Sequence, residues 1–219
     1  MRVLSTKKLL QNQRELLLNA EFSFLDYDAL QITYLDLEIP ETTTNSIITS
    51  QNGARAFLAQ MPQGASKTTF YCVGKKTARL LSENGLNVAH IAQNGAELAY
   101  FIIKNHQNEA FSYFCGNHRR DELPSLLKEA GIQCNEIIVY ETHEQIQAFK
   151  QTFDGVLFFS PLGVSAFAKA NPVPTAFCIG ETTAKEARKH TDTVIVSNAT
   201  TIESTIAKAV KYLNNNCLQ

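Results

Sequence analysis

Hydroxyl-bearing residues and glycines recur where apolar stretches of the chain give way to amphipathic ones. Ser50 and Ser160 each lie just before a predicted helix, and Gly74 and Gly180 precede two more. A helix N-terminus carries unpaired N–H groups and a partial positive charge, so such positions bind carboxylates or phosphates without many charged side chains. The four helix starts therefore predict an anion site. Taken singly, each serine can also be a plain helix cap that binds no ligand, and that alternative stays open.

The most charged turn after a predicted strand covers residues 115–124. Within it, Arg119 and Arg120 have planar guanidinium groups, which bind carboxylates through paired hydrogen bonds. The alternative is a solvated helix start in which Asp121 and Glu122 act as capping residues. The turn is thus a second candidate for binding an anionic ligand.

A few single side chains near other strand ends could add to such a site. Lys7 and Lys8 follow the first predicted strand, in the turn that matches the charged one. His118 lies in the charged turn itself, where a surface histidine without a role is the simpler interpretation. Tyr140 ends a predicted strand and could donate a proton to a leaving group, although packing is the commoner role for a tyrosine there.

Several familiar chemistries lack their sequence patterns. No GxGxxG follows a strand, no GxxxxGK[ST] phosphate loop occurs, and no GxSxG turn presents a nucleophile. The five histidines are scattered without metal-ligand spacing, and the five cysteines are odd in number without a CxxC pair. We therefore expect neither a metal nor a disulfide framework. Cys72, Cys115 and Cys178 lie in apolar runs and are expected to be buried.

Composition limits the protein to ordinary folded classes. The 219 residues are 44% hydrophobic and 19% charged, which suits one large domain or two small ones. The formal net charge of −1 argues against a protein that binds nucleic acid through its overall charge. Neither a membrane-spanning run nor a signal peptide is evident, so we expect a cytoplasmic protein, and we expect a monomer.

Short apolar runs alternate with amphipathic stretches, a pattern typical of parallel βαβ units. The predicted strands are residues 2–5, 23–27, 46–49, 69–73, 88–91, 112–115, 136–140, 155–159, 176–179 and 193–196.

The chain also carries an internal repeat. Residues 46–57 match residues 156–167 in the positions of Ser, Gly, Ala and Phe, and residues 70–78 match residues 176–184. The second copy lacks its last strands, and the opening of the chain supplies similar ones. The sequence therefore predicts two similar parallel-sheet α/β domains, joined by a two-strand hinge with a ligand cleft between them. One is continuous (38–141), and the other is discontinuous (1–37 plus 142–219).

Six short motifs occur in one order along nearly the whole chain, and together they resemble the uroporphyrinogen-III synthase family. The motifs are Ile48-Thr49-Ser50, Val-Gly-Lys-Lys-Thr-Ala at 73–78, Cys-Gly-Asn-His-Arg-Arg at 115–120, Val-Tyr-Glu-Thr at 139–142, Phe-Phe-Ser-Pro-Leu-Gly-Val at 158–164 and Ile-Gly-Glu-Thr-Thr-Ala at 179–184. Each motif alone is weak, whereas six in order are specific. The sequence departs from the family pattern at Lys7, where arginine is common, and at Gly53, where alanine is common.

The resemblance implies a fold, a reaction and a substrate. The substrate would be hydroxymethylbilane, a linear tetrapyrrole with eight carboxylates. The enzyme would remove its hydroxyl as water and close the macrocycle with inversion of ring D through a spiro intermediate. The resemblance implies neither a cofactor nor a metal. It does imply transient contact with the preceding pathway enzyme.

The resemblance also implies which residues act. Tyr140 would assist departure of the hydroxyl, and the other matched residues would bind substrate. The substrate-binding set is Ser50, Thr77, Gly116, Asn117, Arg119, Arg120, Ser160, Gly163, Gly180, Thr182, Thr183, Thr6 and Lys7.

Three other functions stay open at the level of sequence. The first is a two-domain binding protein for a carboxylated or phosphorylated metabolite, which would form a complex and no product. The second is a glycosyltransferase-like enzyme, which would need a base-binding pocket and usually a longer chain. The third is an inactive paralogue that keeps only the fold.

Overall fold

The computed structural model describes residues 1–37, 44–62 and 64–216. The chain divides into two compact units. Unit 1 comprises Met1–Gln31 and His143–Gln219, and unit 2 comprises Ile32–Thr142. The sequence predicts the two boundaries after residues 37 and 141, whereas the structure has them after residues 31 and 142. The first boundary differs because residues 30–34 form a strand that belongs to the sheet of unit 2.

The described residues form eleven strands and eight α-helices. In chain order these are β1 (Arg2–Ser5), α1 (Gln11–Leu18), β2 (Ser23–Asp26), β3 (Leu30–Tyr34), β4 (Asn45–Ile48), α2 (Gln51–Ala59), β5 (Thr69–Val73), α3 (Lys75–Glu83), β6 (Asn87–Ala92), α4 (Gly95–Asn105), β7 (Phe111–Gly116), α5 (Glu122–Glu129), β8 (Cys134–Glu144), β9 (Gly155–Phe158), α6 (Pro161–Ala168), β10 (Thr175–Cys178), α7 (Glu181–Ala187), β11 (Val194–Val196) and α8 (Ile202–Asn216).

Unit 1 is a five-stranded sheet in the order β11-β10-β9-β1-β2, with every neighbouring pair parallel. Its strands are short and mostly apolar, as is typical of parallel strands that are covered on both faces. One face packs against α6 and α7 through side chains such as Val164, Phe167 and Ala184. The other face packs against α1 and α8, where Leu17 and Ile206 are fully buried.

Unit 2 is a six-stranded sheet in the order β3-β8-β7-β4-β5-β6, and its strands from β4 to β8 are paired in parallel. Helices α2 and α3 cover one face, where Phe57, Phe70 and Phe114 pack edge to face. Helices α4 and α5 cover the other face, where Tyr113 and Leu98 are buried. Residues along each strand alternate between these two cores, as the pleat of a β-strand requires.

The two sheets repeat one strand order. The order β11-β10-β9-β1-β2 of unit 1 corresponds to β6-β5-β4-β7-β8 of unit 2. In unit 1, strands β9, β10 and β11 come from the end of the chain, whereas β1 and β2 come from its start. The α/β class with two parallel sheets, predicted from the internal repeat, is thereby confirmed.

Two strands differ from the sequence prediction by more than one residue at either end. The sequence pattern does not predict β3, which lies at the edge of the unit 2 sheet beside β8. The predicted strand before the second boundary ends at Tyr140, whereas β8 extends to Glu144.

Two further expectations can be compared with the structure. The burial expected for Cys72, Cys115 and Cys178 is confirmed, and Cys217 lies outside the described residues. In the part of the chain that the structure describes, no helix is long and apolar enough to cross a membrane.

Candidate functional site

The corner where β4 passes into α2 is built around Ser50. Its backbone is extended, and its Oγ accepts a hydrogen bond of 3.0 Å from the N–H of Gly53, so the side chain caps the helix. Gly53 is buried, and a Cβ at this position would lie 3.1 Å from the carbonyl oxygen of Phe114. This close approach of the backbone of β7 explains a glycine where the family pattern commonly has alanine.

Tyr140 on β8 reaches the same corner. Its hydroxyl lies 3.1 Å from Ser50 Oγ, and either atom can be the donor. The phenol ring lies over Gly116 at the end of β7, where a Cβ would come within 2.8 Å of the Tyr140 oxygen. Glycine at 116 therefore makes the room that the ring of Tyr140 occupies.

Asn117 fastens the turn after β7 to the strand that carries Tyr140. Its side-chain Oδ1 accepts a 2.8 Å hydrogen bond from the N–H of Thr142, and its own N–H donates to the carbonyl oxygen of Tyr140 at 3.3 Å. The sequence predicts that Asn117 binds substrate. In the structure its side chain holds the backbone beside Tyr140.

A second pair of hydroxyls lies one residue earlier in the same corner. Thr49 Oγ1 is 3.0 Å from the hydroxyl of Tyr113, which projects from β7 and is only 2% exposed. Burial raises the pKa of the Tyr113 phenol to about 12, so it stays protonated at neutral pH. Sequence reasoning missed the hydroxyls of both residues, because each lies within an apolar strand sequence that is typical of core.

These residues line a cavity of about 340 Å³ at the carboxyl ends of the unit 2 strands, the edge where open α/β sheets bind ligands. The lining residues are Thr49, Ser50, Val73, Gln93, Asn94, Gly95, Tyr113, Cys115, Gly116, His118, Arg119, Arg120, Glu122, Leu123 and Tyr140. The cavity thus gathers five residues of the predicted site, namely Ser50, Gly116, Arg119, Arg120 and Tyr140. It also receives the start of α4, where the Asn94 side chain accepts a 2.9 Å bond from the N–H of Glu97.

The two arginines of the charged turn differ in their surroundings. Arg119 forms ion pairs with Glu136 on β8 and with Asp121, and these hydrogen bonds raise the pKa of its guanidinium. Arg120 is exposed and makes no ion pair with any residue that the structure describes. The Asp121 carboxylate pairs with Arg119, and it makes no hydrogen bond that caps α5. Of the two, Arg120 is the more exposed and the one without an ion pair among the described residues, so it is the better candidate for binding an anionic ligand.

Unit 1 brings together three of its predicted residues at the carboxyl ends of β1 and β9. Ser160 caps α6 by accepting a 3.0 Å bond from the N–H of Gly163, as Ser50 does for α2. A Cβ on Gly163 would lie 3.2 Å from Ser160 Oγ and 3.7 Å from Thr6 Oγ1. Thr6 is buried, and its hydroxyl donates to the carbonyl oxygen of Leu157 at 2.8 Å.

In the described part of the chain, no group of three or more His, Cys, Asp or Glu side chains is arranged to hold a metal ion. The polar lining of the unit 2 cavity consists of hydroxyl groups, the start of α4, and side chains of the charged turn.

Comparison with known proteins decides the family. Residues 21–207, most of the chain, match the family model described as uroporphyrinogen-III synthase HemD.

The chain belongs to the uroporphyrinogen-III synthase family. It is therefore an enzyme, a hydro-lyase of porphyrin biosynthesis whose substrate is a tetrapyrrole.

Solved structures of uroporphyrinogen-III synthases share the fold. The chain is 17% identical to the uroporphyrinogen-III synthetase of Helicobacter pylori 26695, with 97% of this chain and 100% of that chain covered and a TM-score of 0.74. It is 15% identical to a mutant uroporphyrinogen III synthase from the extremely thermophilic bacterium Thermus thermophilus, with 98% and 99% covered and a TM-score of 0.70. At these identities the likeness shows the fold.

Five other residues that the uroporphyrinogen-III synthase pattern implies are not among those that line the unit 2 cavity, namely Thr77, Gly180, Thr182, Thr183 and Lys7. Thr77 and Thr183 are 4% and 3% exposed in the first turns of α3 and α7. The carbonyl oxygen of Gly180, which precedes α7, accepts the N–H of Thr183 at 3.1 Å, while Thr182 and Lys7 are exposed to solvent. Burial of Thr77 and Thr183 leaves little of either side chain exposed to a ligand.

In this uroporphyrinogen-III synthase family member, unit 1 also has a tyrosine near the position that corresponds to Tyr140 in unit 2. Tyr27 directly follows β2, the strand that corresponds to β8. Its ring packs edge to face on Phe149, and its hydroxyl is buried without a hydrogen-bond partner among the described residues. Tyr140, in contrast, lines the unit 2 cavity and bonds to a hydroxyl side chain.

Proposed function

We propose that the cavity at the carboxyl ends of the unit 2 strands is where this enzyme binds part of hydroxymethylbilane, and that Tyr140 assists departure of the bilane hydroxyl. The observation that carries the proposal is the Ser50–Tyr140 hydrogen bond of 3.1 Å at the wall of this cavity. A phenol held by a second hydroxyl has a fixed direction. It can therefore donate to an oxygen that enters the cavity.

The proposed step balances as follows. Tyr140 donates its proton to the hydroxyl oxygen while the C–O bond breaks, and both bonding electrons leave with the oxygen as water. The electron pair of the adjacent pyrrole nitrogen fills the vacancy and gives an azafulvene cation. The substituted carbon of ring D bonds to this cation and gives the spiro intermediate. The bond from that carbon to the bridge toward ring C then breaks and leaves a second azafulvene cation on ring C. The unsubstituted carbon of ring D bonds to this bridge and loses its proton, which restores the phenol. The net change is loss of one water molecule.

Most of the enzyme's contribution in this proposal is conformational. The azafulvene is reactive enough to close in solution without inversion, so the enzyme must present the substituted carbon of ring D first. Holding reacting groups in place can supply about 7–11 kcal/mol, which lowers the need for a strong acid or base. Hydroxyls and backbone N–H groups suit such a task.

The carboxylates of the bilane provide the handles for positioning. In unit 2 we assign them to the N-terminus of α4 at Gly95 and to the exposed guanidinium of Arg120, both of which line the cavity. In unit 1 we assign further carboxylates to the helix starts after Ser160 and Gly180. These groups bind anions without requiring a strongly basic protein, in keeping with the formal net charge of −1.

The proposal extends to how the substrate arrives. Free hydroxymethylbilane closes to the wrong isomer on its own, so a short path from its source protects it. We therefore propose a monomeric cytoplasmic enzyme that makes transient contact with the preceding pathway enzyme.

Supplying hydroxymethylbilane and identifying the uroporphyrinogen isomer tests the reaction. We expect isomer III at a rate proportional to enzyme concentration, over a background of isomer I without enzyme. Isomer I alone, at the uncatalysed rate, would contradict the reaction. A stable complex that yields no product would instead support a binding protein.

A further inference from the structure

Two tyrosines on neighbouring strands hold consecutive residues of one corner. Tyr113 on β7 bonds to Thr49 at 3.0 Å, and Tyr140 on β8 bonds to Ser50 at 3.1 Å. Thr49 and Ser50 link the end of β4 to the first turn of α2. The corner is therefore tied at two adjacent points by two phenols.

The two phenols approach from opposite faces of the sheet. Tyr113 packs in the core beneath α4 and α5, whereas Tyr140 packs against the core beneath α2 and α3. A single planar peptide separates the two residues that they hold. A rotation of this peptide caused by loss of one bond must therefore move the other hydroxyl.

The corner has little other freedom. Ser50 is committed to α2 through both its Oγ, which accepts from Gly53, and its carbonyl oxygen, which accepts from Ala54 at 3.0 Å. Thr49 precedes this cap, and its hydroxyl bonds to Tyr113. Tyr113 thus supplies the anchor on the strand side of the corner.

Burial suits the Tyr113 phenol to hold Thr49 in place and makes it unsuited to react with substrate. It is 2% exposed, and burial raises the pKa of its phenol from the ordinary 10.0 to about 12, so the phenol stays neutral even in alkaline solution near pH 10. A neutral hydroxyl in a fixed rotamer gives the same hydrogen bond throughout a catalytic cycle.

We propose that Tyr113 is a positioning residue, which through Thr49 sets the Thr49–Ser50 corner and thereby the direction of the Tyr140 hydroxyl toward the substrate. The proposal rests on the role proposed above for Tyr140.

The experiment is a double-mutant cycle of Tyr113→Phe and Tyr140→Phe, measured as kcat and KM for formation of isomer III. We expect Tyr113→Phe alone to lower kcat about two- to tenfold, the size of one neutral hydrogen bond, with little change in KM. In the Tyr140→Phe background it has no further effect, because the group that it positions is gone.

Tyr71→Phe is the matched control. Tyr71 lies on β5 in the same core as Tyr113 and is 3% exposed, and its hydroxyl bonds to His106 at 3.4 Å, away from the cavity. The variant removes a buried hydroxyl of the same kind, so we expect it to keep kcat. Thermal unfolding of all variants separates loss of fold from loss of position.

Substitutions of Thr49 give a second test, which does not require the Tyr113→Phe variant to fold. Thr49→Ser keeps the hydroxyl that meets Tyr113, and Thr49→Val removes it while keeping a β-branched side chain. We expect the serine variant to retain the kcat of the wild type within about twofold and the valine variant to match Tyr113→Phe. The 13Cζ resonance of Tyr140 should shift in the valine variant and in Tyr113→Phe, and should stay in place in Tyr71→Phe.

The outcomes separate the two proposals. Wild-type kcat in Tyr113→Phe, or losses that multiply in the double variant, overturns the positioning role and leaves the role of Tyr140 intact. Full turnover in Tyr140→Phe overturns both, because no acting group remains for Tyr113 to direct.

Discussion

The ring of Tyr140 lies so close over Gly116 that a Cβ on residue 116 would be 2.6 Å from the ring carbon Cε2 and 2.8 Å from the hydroxyl oxygen. The first prediction follows from this contact. Gly116→Ala must displace the phenol from Ser50, and we expect kcat to fall about tenfold to a hundredfold, as for misplaced catalytic groups. Overpacking of this kind also costs about 1–3 kcal/mol of stability.

Gly155→Ala is the control for that stability cost. A Cβ on Gly155 would meet the Phe177 ring at 3.0 Å or less, in the core of unit 1. We expect a comparable loss in the free energy of unfolding with unchanged kcat per folded molecule. Equal kcat losses in the two variants would mean that the space at Gly116 serves only the fold.

The second prediction concerns Tyr140 on β8 and Tyr27, which directly follows the corresponding strand β2. Tyr140→Phe should lower turnover about ten-fold to a thousand-fold, in line with loss of general acid assistance. Tyr27→Phe should leave turnover unchanged, since the Tyr27 hydroxyl is buried and bonds to no described residue. Turnover of both variants is measured as formation of isomer III. Full activity in Tyr140→Phe would remove this residue from the mechanism.

Much of the architecture could be predicted because the sequence contains an internal repeat. The match between residues 46–57 and 156–167 predicts equivalent strand, corner and helix, and Ser50 and Ser160 do cap equivalent helices. β3 could not be found this way, since it has no counterpart in the repeat and gains its partner only by joining β8. Its inclusion moves the domain boundary.

The site was harder to predict because side-chain partners come from distant positions. Arg119 is expected from sequence to be free for a carboxylate, but it pairs with Glu136, which lies 17 residues later on the adjacent strand. Tyr113 and Thr49 are 64 residues apart in sequence, and the register of β4 with β7 brings their hydroxyls together. Spacing within one strand carries no information on such cross-strand pairs.

The third prediction compares the two helix caps of the repeat. Ser50→Ala and Ser160→Ala each remove one bond to a glycine N–H, and each should cost about 0.5–2 kcal/mol of stability. Ser50→Ala also releases Tyr140 and should lower kcat about two- to tenfold, whereas Ser160→Ala should act on KM. Stability comes from urea unfolding and the constants from initial rates. Indistinguishable kinetic effects would argue that Ser50 acts on Tyr140 in no special way.

The fourth prediction separates the two arginines. Arg120→Ala should raise KM about two- to fivefold, and the effect should shrink as salt is added, because an exposed charge is screened. Arg119→Ala should lower stability by about 1 kcal/mol, because it strands Glu136 and loosens the turn after β7. KM measured at two ionic strengths, together with thermal unfolding, tests both. A KM that is unaffected in Arg120→Ala would exclude this residue from binding substrate.

The fifth prediction uses the buried hydroxyl of Tyr27. Burial raises the pKa of its phenol from 10.0 to about 12. Between its pKa in the unfolded chain and its higher pKa in the folded protein, such a phenol ionises in the unfolded chain alone. The free energy of unfolding therefore falls as the pH rises through this range. The wild type should therefore lose stability between pH 10 and 12 relative to Tyr27→Phe, by at most about 2–3 kcal/mol.

At pH 7 the Tyr27→Phe variant should be as stable as the wild type or more stable, since it removes a buried hydroxyl that lacks a partner among the described residues. Unfolding in urea across this pH range measures the difference between the two proteins, in which contributions from other titrating groups cancel. A constant difference from pH 7 to 12 would mean that the phenol of Tyr27 ionises as readily in the folded protein as in the unfolded chain.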